Sequence, residues 1–406
     1  MKLYRVHQKL NVNPLADVVA EVRRQLGGLN LEIKRGAQIA ITAGSRGISN
    51  IAPITRAIGD WCKDQGAQPF LFPSMGSHNG ATAEGQRSMI ESLGLTEAAM
   101  DMPIRASMDV VKLGEVSSGK VYMDKIAYES DGVIVANRIK LHTCFAGPVQ
   151  SGLLKMMVVG MGKIKSATTF HSAPDLLMKE MVVEMGQVII DSGKLLAGLA
   201  ILEDGNDQTA DIHGLRPEEI VEREPQLVKK HREYFPSLPV DQLNILVVSE
   251  IGKVYSGTGF DTNVIGYRGN KECEDLDKPN IRILAALDLA AKSQGNALGV
   301  GLADFITQRL RNKIDEKKTL INTLTTGLMH RAHIPATLAD DRELVETIES
   351  RFGSQRWMFI PNTLHLETFY VTQDLVDELD EHPRCQVEST PINLSFEKGL
   401  LQLSFS

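Results

Sequence analysis

The segment AQIAITAGSRG at residues 37–47 decides the fold, because a short apolar run ends here in a small polar loop. The apolar part, residues 37–44, has the length and composition of one buried strand. Isoleucines and a tryptophan then recur at helical spacing within residues 49–66, which predicts a helix. A strand, a loop and a helix in this order are typical of a βαβ unit on a parallel sheet.

The same alternation continues through the N-terminal half. QPFLFPSMG (68–76) is a second predicted strand, and the following helix begins after Thr82, whose hydroxyl can cap it. DGVIVANRI (131–139) is a further buried strand, followed by an irregular stretch that contains glycine. The expected fold class is therefore α/β, with a mostly parallel sheet flanked by helices in the first domain.

The chain is long enough for two domains, since its 406 residues are about two to three times the usual domain size. Dense charge followed by two prolines within residues 203–240 marks a boundary. We expect an N-terminal cofactor-binding and catalytic domain at 1–235 and a smaller C-terminal α/β domain at 242–406. The second domain is expected to close over a substrate cleft.

The expected elements of the second domain begin with a strand in QLNILVVSE (242–250). An apolar segment at 282–290, a helix through 303–315 and a strand near 357–360 follow. The alternating sequence at 392–405 predicts a hairpin, which could pack back on the first domain.

Composition narrows the possible partners and location. The formal net charge of −7 leaves no basic field for a phosphate backbone, so we expect no nucleic-acid partner. No apolar run approaches the ~20 residues of a bilayer span, so we expect no membrane partner either. The N-terminal segment lacks the apolar stretch of a secretory signal, which predicts a cytoplasmic protein. Four scattered cysteines without a C-x-x-C spacing argue against a disulfide framework and a thiolate zinc site.

Three polar residues follow predicted strands and share one structural position. Arg46, His78 and His142 each lie just past the C-terminal end of a strand. Ligands of open parallel sheets bind outside these carboxyl ends, so the three loops could deliver one arginine and two histidines to one crevice. The alternative is that each is an ordinary loop residue.

The segment SGLLKMMVVGMGKIKSATTFH (151–171) holds a second set of candidates. Lys155 lies between Leu154 and Met156, where poor solvation of the ammonium would lower its pKa and make the amine nucleophilic. His171 follows sixteen residues later. The alternative is a core helix whose lysine extends to solvent and whose methionines fill space.

Several common catalytic motifs do not occur in the sequence. It has no G-x-x-x-x-G-K-[ST] loop, no G-x-G-x-x-G after a strand and no G-x-S-x-G elbow. Nucleotide hydrolysis, ordinary NAD-dependent oxidoreduction and serine hydrolysis are therefore unsupported.

The ordered set of site segments resembles the lactate racemase superfamily, which comprises nickel-dependent 2-hydroxyacid racemases and epimerases that use a nickel-pincer nucleotide. Two segments of the C-terminal half, 250–266 and 294–305, resemble blocks of racemase-like relatives, so the resemblance covers most of the chain. The N-terminal segments that carry it are Gly44-Ser45-Arg46-Gly47, Gly76-Ser77-His78 with Thr82 and Glu84, His142-x-x-Phe145-Ala146-Gly147, Ser151-Gly152-x-x-Lys155 and His171.

The resemblance implies a role for each matching residue. Lys155 would hold the cofactor covalently through a thioamide bond, and His171 would be the protein ligand of nickel. His78 and His142 would form the acid/base pair on opposite faces of the substrate. Imidazole is an appropriate donor for Ni²⁺, and histidine titrates near working pH, so these assignments are chemically sensible.

Further binding residues follow from the same resemblance. Arg46 would grip the substrate or support the cofactor, and Ser45 would contribute to the cofactor-binding loop. Lys253 is the candidate for substrate binding from the second domain. The implied partners are a small-molecule 2-hydroxyacid and the cofactor-synthesis proteins, and a host that lacks these proteins would yield apo-protein.

The implied activity is racemisation or epimerisation by reversible hydride transfer to the nickel-pincer nucleotide. The α-proton of a 2-hydroxyacid is weakly acidic because the neighbouring carboxylate is already negative. Hydride transfer avoids the dianion that proton abstraction would form. A base must still take the hydroxyl proton as the hydride leaves, which is the work of the two histidines.

Two departures from the lactate racemase pattern concern the substrate. Ala43 stands where lactate racemases carry an acidic residue, and the thirteen-residue step from His142 to Lys155 is three residues longer than expected. We therefore expect a larger 2-hydroxyacid than lactate, such as a sugar acid or an aryl hydroxyacid. The alternatives are a non-catalytic two-domain protein that binds an organic acid, or a metal-dependent lyase or hydrolase whose three-histidine site combines His78, His142 and His171.

Overall fold

The computed structural model describes residues 1–171, 175–270 and 273–405, without the side chains of residues 171, 175, 176, 325 and 326. Its contacts divide the chain into two compact units. The N-terminal unit is Asn11–Phe235, and the C-terminal unit combines Met1–Leu10 with Pro236–Ser406. Both units contain parallel strands flanked by helices, which confirms the expected α/β class.

The strands are numbered in chain order within the described residues. They are β1 (Lys2–Gln8), β2 (Gln38–Ala43), β3 (Gln68–Pro73), β4 (Val110–Val116), β5 (Gly119–Asp124), β6 (Gly132–Arg138), β7 (Leu195–Glu203), β8 (Thr209–Leu215), β9 (Gln242–Ile251), β10 (Asn280–Leu289), β11 (Phe305–Thr307), β12 (Ala336–Leu338), β13 (Trp357–Ile360), β14 (Thr368–Thr372), β15 (Cys385–Val387), β16 (Ile392–Asn393), β17 (Phe396–Glu397) and β18 (Leu400–Leu401).

The α-helices are numbered in the same way. They are α1 (Val18–Gly28), α2 (Ile51–Asp64), α3 (Ala83–Ser92), α4 (Glu97–Met100), α5 (Lys125–Glu129), α6 (Leu153–Lys155), α7 (Lys163–His171), α8 (Asp175–Asp191), α9 (Ile220–Tyr234), α10 (Lys253–Ser256), α11 (Thr262–Ile265), α12 (Gln308–Lys313), α13 (Glu316–Thr326), α14 (Asp341–Phe352) and α15 (Val376–Asp380). No described helix is both long and apolar enough to cross a lipid bilayer.

The sheet of the N-terminal unit has the order β3-β2-β6-β7-β8, and only the β7–β8 pair is antiparallel. Strand β2 lies between β3 and β6, with Ile41 paired to Leu71 on one side and to Ile134 on the other. These three side chains are fully buried, as expected for strands covered on both faces. The run 37–44 therefore contains the predicted buried strand, which the structure places at Gln38–Ala43.

Local capping confirms the predicted helix that follows the second strand. The Thr82 hydroxyl accepts a hydrogen bond of 3.1 Å from the Gly85 amide at the first turn of α3. Such a cap satisfies one of the backbone donors that a helix start leaves without a partner. The helix predicted within 49–66 is α2.

The sheet of the C-terminal unit includes the first strand of the chain. Its order is β12-β11-β10-β9-β13-β14-β1-β15, with β16 also paired to β1. Strand β1 runs antiparallel to β14, with Leu3 opposite Thr372, and the Leu3 side chain is buried in the core of this unit. Residues 1–10 were expected in the N-terminal domain, and this pairing places them in the C-terminal unit instead.

Two further expectations for this unit need correction. The helix expected through 303–315 is preceded by a strand, because Phe305–Thr307 pairs in parallel with β10, and α12 starts only at Gln308. The predicted terminal hairpin is present as the short pair β17–β18. Residues 392–393 of the predicted hairpin pair instead with β1, and its Phe396 and Leu401 pack on the core of the C-terminal unit.

Candidate active site

The candidate site lies at the carboxyl edge of the N-terminal sheet. Arg46, His78 and His142 follow the ends of β2, β3 and β6. These strands are adjacent and parallel, so their carboxyl ends meet at one edge. The fold thus gives all three loops the common position that the sequence predicts.

His78 is oriented by the loop that precedes Arg46. Its ring nitrogen Nδ1 forms a hydrogen bond with the Ser45 hydroxyl. When Nδ1–H donates to that oxygen, Nε2 carries the lone pair that a general base requires. Ser45 was expected to bind the cofactor, and that role stays a prediction beside the observed contact with His78.

His142 lies in a loop that is closed at its base. The backbones of Lys140 and Ser151 exchange hydrogen bonds of 2.8 and 3.2 Å. Within the loop, the His142 amide donates to Gln150 Oε1 at 2.6 Å. The closure returns the chain to the site just before Lys155, so the residues inserted between His142 and Lys155 form a compact loop.

The surroundings of the His142 ring define its resting tautomer. The Cys144 amide donates to Nδ1 at 3.1 Å, so the neutral ring carries its proton on Nε2. The ring also packs on Phe145, with centroids 4.2 Å apart. His142 is therefore poised as a donor at Nε2, which complements a basic His78.

Lys155 belongs to the same cluster. It ends α6, and its Nζ lies 5.9 Å from the centroid of the Phe145 ring. Burial lowers the pKa of the Lys155 ammonium to about 8; Cys144 opposes this shift and the charge of Arg46 adds to it. The direction agrees with the expectation from the sequence, and it makes the neutral, nucleophilic amine accessible near physiological pH.

The helical turn that carries Lys155 is anchored by a residue that the sequence analysis did not identify. Glu224 of α9 is fully buried and accepts a hydrogen bond of 3.0 Å from the Leu154 amide. A Cβ at Gly152 would lie 2.3 Å from Glu224 Oε1, so only glycine permits this approach. Burial raises the pKa of Glu224 to about 7. The signal in the sequence was an acidic residue at helical spacing from Ile220, Leu227 and Val228, which are also buried on α9.

A second pair of residues that the sequence analysis did not identify, Arg138 and Glu203, acts near Arg46. Arg138, at the end of β6, forms an ion pair with the buried Glu203 at the end of β7. Glu203 also accepts a hydrogen bond of 2.6 Å from the Ser49 amide in the loop after β2. Burial, and then the charge of Arg138, lower the pKa of Arg46. Cations held this close favour an anionic ligand.

Two predicted site residues are not joined to this cluster by the described contacts. His171 ends α7, but its side chain lies outside the described residues. Lys253 lies on α10 of the C-terminal unit, where its ammonium donates to Asn322 Oδ1. Among the described residues, no group of three or more His, Cys, Asp or Glu side chains could hold a metal ion. The roles of His171 and Lys253 stay predictions.

Comparisons with known proteins agree with the fold. Residues 43–214, which include the cluster, match the family model described as a domain of unknown function, DUF362. The lactate racemase apoprotein from Thermoanaerobacterium thermosaccharolyticum has a similar structure, with a TM-score of 0.54 and 14% identity over 88% of this chain and 94% of that chain. A structural genomics target from Thermotoga maritima gives 0.52 and 12% over 88% and 99%. No curated protein sequence matches. At such identities the likeness shows a shared fold.

The lowered pKa of Lys155 predicts unusual reactivity of its amine. We expect pH-dependent labelling with an amine reagent, read by peptide mass spectrometry, to give a midpoint near 8 for Lys155. Arg46→Met should raise this midpoint, because it removes a positive charge that disfavours the ammonium. The exposed Lys278 is the control, and its labelling should be the same in both proteins. An ordinary midpoint for Lys155 would contradict the burial of its amine.

Burial of Glu224 predicts a pH dependence of stability. The folded protein binds the proton of the Glu224 carboxyl group more tightly than the unfolded chain does. The free energy of unfolding should therefore fall as the pH rises from about 4.5 to about 7. Glu224→Gln stays neutral and keeps an acceptor, so urea unfolding should show a flatter profile across this window. Glu222→Gln, exposed on the same helix, should leave the profile unchanged. Parallel profiles for wild type and Glu224→Gln would refute the assignment.

Proposed function

We propose that the protein is a racemase or epimerase of a 2-hydroxyacid larger than lactate, and that it works with a nickel-pincer nucleotide attached to Lys155. The observation that carries the proposal is the cluster of a nucleophilic Lys155, Arg46 and the His142–Phe145 pair. Its position at the carboxyl edge of a parallel sheet is where such folds bind ligands. The shared fold with a lactate racemase apoprotein supports it.

The residues present fit such a cofactor. An amine with a pKa of about 8 can form an amide-type bond near neutral pH, and the guanidinium of Arg46, whose charge acts on this amine, can neutralise an acidic group of the nucleotide. The imidazole of His171, at the end of the helix that follows Lys155, is a suitable ligand for Ni²⁺. When bound, the nucleotide would supply a hydride acceptor that can return the hydrogen to either face of carbon 2.

The residues of the chain itself bind the substrate and move its hydroxyl proton. Arg46 binds the carboxylate, for which its planar guanidinium gives a bidentate geometry. His78, with Nδ1 bonded to Ser45, takes the hydroxyl proton at Nε2. His142 acts from another loop. Its neutral ring carries a proton on Nε2, and as an imidazolium it gives that proton to the product oxygen, while His78 keeps the proton taken from the substrate. The two imidazoles exchange these roles when the reaction runs in the opposite direction.

The site favours an anionic substrate with room for more than a methyl group. Arg46 stands beside Arg138, and Ala43 contributes no carboxylate to offset them. The loop between His142 and Lys155 is closed at its base, and the proposal assigns its residues to contact with a longer side chain. Both features suit a sugar acid or an aryl hydroxyacid. The soluble partners would then be this acid and the proteins that make the cofactor.

Covalent attachment is tested by producing the protein together with the cofactor-synthesis proteins. We expect an intact-mass increase of one nucleotide, mapped to Lys155, together with bound nickel. Lys155→Ala should lose both, whereas His171→Ala should keep the adduct and lose mainly nickel. Lys165→Ala is the matched control, because this exposed lysine lies in the same segment. An adduct on another lysine, or an unmodified protein under these conditions, would exclude the proposed attachment.

The paired histidines are tested by steady-state kinetics on the acid that the protein converts. His78→Ala and His142→Ala should each slow both reaction directions by about 10²–10⁴, since each turnover uses both groups. The exposed His333 is the control, and His333→Ala should retain full activity. Nearly complete activity of either site variant would remove that histidine from the mechanism. Nickel binding that needs all three of His78, His142 and His171, without an adduct, would favour a lyase or hydrolase instead.

A further inference from the structure

A buried lysine that takes no part in the proposed chemistry lies at the centre of the N-terminal unit. Lys163 Nζ is 3.1 Å from Asp124 Oδ2, and the two side chains are 0% and 1% exposed. The ammonium also donates to the carbonyl of Pro73, at the end of β3. It lies 3.4 Å from Gln86 Oε1. One ammonium thus joins three separate parts of the unit.

The backbone of Lys163 is strained. Its φ of +54° lies in the left-handed region, which is unfavourable for a residue that carries a Cβ. Such strain persists only where the surrounding contacts determine the conformation, and it concentrates near functional sites. Here the carboxylate of Asp124 and the carbonyl of Pro73 supply these contacts.

Gln86 extends this network to the loop of His78. It is fully buried, and its side-chain amide donates to the carbonyl of Gly76 at 2.9 Å and to that of His78 at 3.4 Å. The Gly76 amide in turn donates to the carbonyl of Gly160 at 3.2 Å. The His78 loop therefore rests directly on the segment that follows Lys155.

Lys163 lies between Lys155 and His171 along the chain. A π-helical turn at Met156–Met161 follows Lys155, and Lys163 then begins α7, which ends at His171. The ammonium thus lies between the predicted cofactor attachment and the predicted nickel ligand. It is also bonded to the strand that leads to His78.

A buried ion pair contributes little net stability, because the cost of removing both charges from water offsets their attraction. Well-packed apolar residues of similar volume often give equal or greater stability in its place. Apolar residues cannot, however, donate directional hydrogen bonds to the Pro73 carbonyl and to Gln86. The ion pair therefore fixes the position of the His78 loop relative to the segment that follows Lys155.

We propose that Lys163, together with Asp124 and Gln86, is a positioning residue that fixes the His78 loop against the cofactor segment 155–171. The inference rests on the proposed function, because a fixed His78 loop matters only for that activity, but the position of the loop can be measured in the apoprotein. The inference predicts that replacing the network leaves the stability of the fold unchanged and makes the His78 loop less ordered.

The test compares the double variant Lys163→Met/Asp124→Asn and the single variant Gln86→Met with wild type. Asparagine is chosen because the Asp124 side chain also caps α5, where it accepts from the Ala127 amide at 3.0 Å, and asparagine keeps that acceptor. In the apoprotein, we expect urea midpoints close to wild type together with hydrogen exchange at least 10-fold faster in the peptide that covers residues 74–82. In the loaded enzyme, we expect kcat to fall about 10- to 100-fold with a small change in KM, because a misplaced base slows the chemical step. Ser88→Ala, exposed on α3, is the control.

Each outcome separates the possibilities. Unchanged exchange in residues 74–82 and an unchanged kcat would overturn the positioning role. A loss of activity in proportion to lost stability, without a local change in exchange, would make the pair merely structural and also overturn it. If the double variant does not fold, Gln86→Met decides alone, because it leaves the ion pair intact. If no racemisation is found, hydrogen exchange of residues 74–82 in the apoprotein still tests whether the network positions the His78 loop. Failure of the proposed function is therefore distinguished from failure of this inference.

Discussion

Strand β2 pairs in parallel with β3 on one side and with β6 on the other, and the candidate site depends on this arrangement. Parallel neighbours direct their carboxyl ends to the same edge, whatever the loops contain. The arginine after β2 and the histidines after β3 and β6 therefore share one edge of the sheet. The polar residues of the loops then refine positions that the sheet has already set.

Clustering of positive charge is the second constraint. Partial desolvation lowers the pKa of Arg46 and of Lys155, and the charge of a neighbouring cation lowers each of them further. The unit offsets only part of this charge, through the carboxylate of Glu203 on Arg138. An uncompensated cation in a poorly solvated site is costly, and an anionic ligand relieves that cost. This is the physical basis for proposing an acid as substrate and an acidic nucleotide as cofactor.

The parts of the fold that could be predicted from sequence are those encoded locally. Strands at 37–44 and 68–76, and the helix capped by Thr82, follow from apolar periodicity and a capping hydroxyl. The pairing of β1 with β14 was missed because it joins residues more than 360 positions apart, and no local pattern reports it. Glu224, Arg138 with Glu203, and Lys163 with Asp124 were missed for the same reason. A lone charged residue in an apolar stretch was visible, but its partner was not.

The most direct measurement of the central proposal uses a 2-hydroxyacid substrate that carries deuterium at carbon 2. If the hydrogen moves as hydride, the product of opposite configuration should keep its deuterium in ordinary water, because the label never resides on an exchangeable group. If His78 or His142 instead removed it as a proton, exchange of the imidazolium with solvent would replace it by hydrogen. Retention of the label in the inverted product is the predicted result. Substantial loss of deuterium to solvent would contradict hydride transfer, even in a protein that binds nickel.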